Sequence, residues 1–103
     1  MQPQDDIATR SLERVRTIVL DALKGSGAAV WLFGSWARGD TARHSDIDVA
    51  VDGRGRLPLG VLAAIRDRLE ESSVPYRVDL VDLADVSETF RQRVQHEGVR
   101  WTN

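Results

Sequence analysis

The sequence predicts a single small α+β domain, a two-layer arrangement of helices on a mixed sheet of three to four strands. Three observations lead there. The chain has 103 residues, one domain's worth, and 42% of them are hydrophobic, an ordinary share for a folded protein. Three short apolar runs bounded by glycine or proline read as strands. Stretches with apolar residues at helical spacing precede, separate and follow those runs. No internal repeat or low-complexity segment divides residues 1–103, so they are read as one domain.

Ile7, Leu12, Val15, Ile18, Val19 and Leu23 predict an amphipathic helix over residues 5–24, stopped by Gly25-Ser26-Gly27. Ala28 to Phe33 (AAVWLF) is wholly apolar and reads as a buried strand. Gly34-Ser35 is the turn that leaves it. Trp36-Ala37-Arg38 follows as the first turn of a short helix, with Ser35 near its N-cap and Gly39-Asp40 at its end. Thr41 to Ser45 is polar loop. Ile47 to Val51 (IDVAV) is the second strand, and Asp52-Gly53-Arg54-Gly55 a turn. Pro58 suits the first turn of a helix whose apolar face is Leu59, Leu62, Ile65 and Leu69. Pro75 precedes a third strand, Tyr76 to Val81. Asp85-Val86-Ser87-Glu88 resembles a capping box and opens a last helix, carried by Val86, Phe90 and Val94 to about His96. Val99-Arg100-Trp101 is either a tail or a short edge strand.

Composition excludes several classes. Fourteen basic and 16 acidic residues give a net charge of −2, against a dedicated binder of DNA or RNA. With no cysteine there is no disulfide and no thiolate metal site. The N-terminal MQPQDD leads into no long apolar run, so neither a signal peptide nor a membrane span is expected, and the default location is cytoplasmic.

The chemistry concentrates in residues 34–48, GSWARGDTARHSDID. Asp46 and Asp48 are two apart at a strand entrance and so point to the same side, with Cα atoms roughly 6–7 Å apart. Such a pair suits one divalent ion, or two as in phosphoryl transfer. All-oxygen donors favour Mg²⁺ or Mn²⁺. Asp79 interrupts the apolar run of the third strand, where an unpaired acid is expensive. It faces the same site if strands two and three are neighbours. Asp82 falls on the opposite face and reads as a turn residue. The bland alternatives are an exposed strand face for Asp46 and Asp48, and a pairing of Asp79 with Arg77.

Gly34 permits a positive φ or a close backbone approach. Ser35 adds a hydroxyl, and amides at the start of a helical turn bind phosphate. Arg38 and Arg43 either add phosphate contacts or are solvated loop arginines.

Strand, Gly-Ser, short helix, loop, Asp-x-Asp strand and a later strand aspartate together resemble the minimal nucleotidyltransferase branch of the DNA polymerase β-like superfamily. Gly34, Ser35, Asp46 and Asp48 match its motif, with a ten-residue spacer at positions 36–45, and Asp79 matches its third acidic position. The resemblance spans most of the chain and implies the minimal nucleotidyltransferase fold. It also implies two Mg²⁺ ions held by Asp46, Asp48 and Asp79, with ATP as substrate and its β- and γ-phosphates cradled by Gly34 and Ser35. Stand-alone domains of this branch are often antitoxins that transfer AMP to a tyrosine of a HEPN ribonuclease toxin. The expectation is therefore a type VII-like antitoxin that binds that toxin and ATP, with no direct nucleic-acid or membrane contact. Two rivals remain: nucleotidyl transfer to a small molecule such as an aminoglycoside, which needs an added acceptor domain, and neutralisation of a partner by occlusion alone.

Other residues carry less. His44 reads as a solvated loop histidine and His96 as a helix-terminal one. Trp31 and Phe33 read as core. Trp36 either packs inward or anchors a partner, and Trp101 either covers the sheet edge or meets a partner.

Overall fold

Helix α1 (Pro3–Ala22) presents Val15, Ile18 and Val19, with Leu23 just beyond it, as one stripe that is 0–5% exposed. It stops where expected: the amide and the hydroxyl of Ser26 both donate to the Leu23 carbonyl, at 3.0 and 2.6 Å. Strand β1 (Ala29–Phe33) follows. The computed structural model describes residues 3–39, 46–55 and 57–102. Asp40, the loop from Thr41 to Ser45, and with it Arg43 and His44, lie outside the described residues.

Strands β2 (Ile47–Asp52), β3 (Val78–Asp82) and β4 (Val99–Arg100) complete a mixed sheet in the order β3-β2-β1-β4. β1 runs antiparallel to β2 and β4, and β2 runs parallel to β3. The α+β expectation holds, with three α-helices and four strands among the described residues. One sheet face carries Val30, Leu32, Ile47, Val49, Val51 and Leu80 under α1 and helix α2 (Val61–Glu71). The other carries Ala29, Trp31 and Ala50 under helix α3 (Glu88–Glu97) and Leu83. Covering on both faces explains why AAVWLF shows no alternation of apolar and polar residues.

Helix α2 begins later than Pro58 suggests. Its N-cap is Gly60 at φ +84°, a left-handed backbone that separates the Pro58 turn from the helix. Leu59, expected on the apolar face, is consequently fully exposed at 103%, while Ile65 and Leu69 are buried as expected. The third strand also starts two residues after Tyr76. Its free edge is partly blunted, because Arg66 Nη2 donates to the Leu80 carbonyl at 2.9 Å.

The capping box forms differently from the reading Asp85…Glu88. Asp82 leads a 3-10 turn over Leu83–Asp85 by accepting from the Ala84 amide at 2.9 Å. Asp85 is consumed in that turn. Ser87 is the N-cap of α3, its hydroxyl accepting from the Phe90 amide at 3.2 Å. Ser87→Ala is expected to lower stability by about 1 kcal/mol, read as a lower midpoint in urea unfolding; an unchanged midpoint would show that α3 is held without its cap.

Three further attachments hold α3. Phe90 meets Phe33 edge to face, with centroids 5.7 Å apart. Val94 is 2% exposed, and Arg91 reaches both the Leu83 carbonyl at 3.3 Å and Asp52 at 3.8 Å. The C-terminal segment is the edge strand of the two alternatives. Beyond it the Trp101 amide donates to the Val30 carbonyl at 2.8 Å, and Trp101 is 9% exposed within the α1–α2 core. Trp101 therefore covers the sheet. Among the described residues no helix is long and apolar enough to cross a membrane.

Candidate active site

The carboxylates are placed by the strands that carry them. Ile47 and Val49 are fully buried on the α1–α2 side, which turns Asp48 to the α3 side by the two-residue alternation of a strand. The parallel register sets Asp48 directly opposite Asp79, and the antiparallel register sets it opposite Phe33. Neighbouring strands lie about 4.8 Å apart, so the two aspartates are adjacent on one face, as expected if strands two and three pair. Asp46 stands one residue before β2, exposed, with the same parity as Asp48. The Ile47 amide donates to the Arg77 carbonyl at 2.9 Å and ties this entrance to the start of β3.

Asp48 senses the other two acids. Partial burial pushes the Asp48 carboxyl above its ordinary value, and the negative charges of Asp79 and then Asp46 push it the same way; Arg38 opposes them. A cation bound among these oxygens would relieve the repulsion. Among the described residues no three carboxylate or imidazole groups form a metal cage unaided. Magnesium commonly takes one or two carboxylates and completes its shell with water and substrate phosphates, so this open donor set is of a kind that fits it.

Gly34 meets both of its expected roles. Its φ is +75°, and a Cβ there would run into the Asp48 carboxylate, with Cγ 3.2 Å away and Oδ2 nearer still. The turn after β1 thus rides directly on Asp48. It is a 3-10 turn over Gly34–Trp36, in which the Gly34 carbonyl accepts from the Ala37 amide and, at 3.3 Å, from that of Arg38. Phe33, not Ser35, occupies the N-cap. The positive φ of Gly34 starts the turn two residues earlier than expected, so Ser35 lies half-buried inside it. Trp36 is 7% exposed and meets Tyr76 edge to face at 5.0 Å, which settles its two alternatives in favour of inward packing.

Arg38 is exposed, yet its charge reaches Asp48. It also lines a cleft of about 180 Å³ with Phe33 and Gly34 on one side and Phe90, Arg93 and Glu97 of α3 on the other. The sequence reading missed this α3 wall. No spacing links Arg93 to Gly34; the only available signal was that Phe90 and Val94 must put the neighbouring Arg93 and Glu97 at the rim of whatever they cover.

Residues 24–101 match the polymerase beta nucleotidyltransferase family. The chain belongs to that family. It is 40% identical over 96 residues to the protein adenylyltransferase MntA of Haemophilus influenzae, covering 89% of this chain and 79% of that protein. A solved structure described as a minimal nucleotidyltransferase superposes with a TM-score of 0.70 at 31% identity, covering 87% of this chain and 92% of the other. A toxin–antitoxin structure with AMP-PNP gives a TM-score of 0.67 at 28% identity, covering 85% and 73%. The matched region of this nucleotidyltransferase contains the Gly34 turn, all three aspartates and α3.

Proposed function

We propose that this nucleotidyltransferase transfers AMP from ATP to a tyrosine hydroxyl of a cognate HEPN toxin and thereby acts as its antitoxin. The observation that carries the reading is the register that holds Asp48 between the Gly34 turn and Asp79. The acceptor class comes from likeness to the adenylyltransferase MntA and to toxin–antitoxin structures.

In this reading Asp46, Asp48 and Asp79 would hold two Mg²⁺ ions, which would supply charge neutralisation at the triphosphate and activation of the acceptor hydroxyl. Gly34 and Ser35 present backbone amides to the β- and γ-phosphates, since the first amides of a helical turn have no partner within it. Arg38 adds charge on the same side, and Arg43 is assigned to the phosphates with it. Asp79 accepts the proton of the attacking hydroxyl. The hydroxyl oxygen bonds to the α-phosphorus, the α–β bridging bond breaks, and pyrophosphate leaves into the amides that already hold it.

Occlusion without chemistry gives no reason to keep three acids in mutual repulsion. The intact mass of the purified partner, after incubation with the chain, ATP and Mg²⁺, is expected to rise by one or more AMP units. A partner of unchanged mass in the presence of active, folded chain would overturn the reading.

A further inference from the structure

The cleft between the Gly34 turn and α3 has an assignable occupant. Its floor is apolar, formed by Phe33 and Phe90, and its rim carries Arg38, Arg93 and Glu97, a net charge of one positive unit. It is contiguous with the carboxylates, because Gly34 lies against Asp48 and the charge of Arg38 is felt there. The α3 wall is also fixed in place. Ser87 caps the helix, Phe90 is held edge-on by Phe33, and Arg91 clamps Leu83 and Asp52. With Val94 buried beyond it, the backbone under Arg93 is tethered on both sides.

We infer that Arg93 is a further phosphate-binding arginine of this site, holding the terminal phosphates of the triphosphate, and then the departing pyrophosphate, against the Gly34 turn from the α3 side. This rests on the nucleotidyltransferase reading given above. A guanidinium suits the task, since its planar fork grips phosphate oxygens in pairs while an ammonium acts as a point charge. Glu97, one turn further along α3, lies where it can steady Arg93 at the i+4 spacing, and it offsets part of the cleft's positive charge.

The test compares a ligand that has terminal phosphates with one that lacks them. Binding of the non-hydrolysable analogue AMP-PNP and of AMP is measured by calorimetry, with Mg²⁺, for the wild-type chain, Arg93→Gln, Arg93→Lys and Glu97→Gln. Arg93→Gln is expected to weaken AMP-PNP about tenfold, the scale of one charge-assisted hydrogen bond, and AMP less than about twofold. Arg93→Lys should recover part of the loss, and Glu97→Gln should tighten AMP-PNP. Inhibition of transfer by added pyrophosphate should weaken in Arg93→Gln by the same factor as AMP-PNP binding. An unchanged ratio of AMP-PNP to AMP affinity in Arg93→Gln overturns the inference, as does equal weakening of both ligands. If the wild-type chain transfers AMP while that ratio is unchanged, only the role of Arg93 falls. If the wild-type chain binds neither nucleotide, the nucleotidyl-transfer reading falls and takes the role of Arg93 with it.

Discussion

Asp48→Asn is expected to abolish AMP transfer while making the metal-free chain more stable. Asparagine keeps the size of the side chain and removes its charge. Transfer should fall by about a thousandfold or to background, the scale of losing one preorganised group that stabilises developing charge. The stability effect has the opposite sign. Burial and the charges of Asp79 and Asp46 raise the pKa of Asp48 in the folded chain, so at neutral pH the fold holds an ionised group that the unfolded chain tolerates better. Removing the charge removes that penalty. The penalty is full above the raised folded-state value, shrinks as pH falls through it, and is gone well below the ordinary value of 3.8, where both states are protonated. Thermal melts with a chelator should therefore show Asp48→Asn above the wild type at neutral pH, with the gap closing on acidification. Undiminished labelling by the variant would sink the metal assignment; a variant that melts lower at neutral pH would sink the electrostatic account. Opposite changes in activity and stability at one residue are what a site kept for function, at some expense of stability, should show.

Gly34→Ala carries the second large effect. A left-handed backbone disfavours any side chain by roughly 1–2 kcal/mol. The new Cβ also meets the Asp48 carboxylate, so either the turn lifts or Asp48 moves. The expected loss of stability is about 2–3 kcal/mol from strain and collision together. Transfer should fall by about a hundredfold if the displacement reaches 1 Å. Two mechanisms are separable by a double-mutant cycle with Asp48→Ala. Shortening Asp48 clears the collision and leaves the backbone strain. The double variant should then be more stable than the sum of the two single effects predicts, by about 1 kcal/mol or more. Urea unfolding of the four proteins measures this; strict additivity would mean that Gly34 is required for its backbone angle alone. Transfer should not return in the double variant, because the carboxylate is still missing.

Much of the candidate site could be read along the chain because its parts are local. Gly34, Ser35, Asp46 and Asp48 lie within fifteen consecutive positions, 34–48, joined by one turn and one strand entrance. Strand alternation places Asp46 and Asp48 on one side without knowledge of the fold. Asp79 stood out because an acid within an apolar strand needs a reason. The errors were of a different kind. Pro58 and Leu59 fit a helical pattern, and a left-handed Gly60 took them out of it. Asp85 and Glu88 have capping-box spacing, but Asp82 captured Asp85 into the preceding turn, which moved the cap to Ser87. In both cases a competing local hydrogen bond or backbone angle decided between patterns the residue types allow equally.

By itself the sequence determined the α+β class, the three principal strands and the gathering of a glycine turn and two acids in one candidate segment, since these follow from periodicity, residue type and short spacing. Tertiary structure alone decided that β2 and β3 pair in parallel with Asp48 opposite Asp79, that Trp36 and Trp101 turn into the core, and that α3 brings Arg93 and Glu97 to the Gly34 turn. Those facts depend on strand register and on which face of the sheet each helix covers. Register and covering are set by the burial of many distant side chains at once, and no local spacing encodes them.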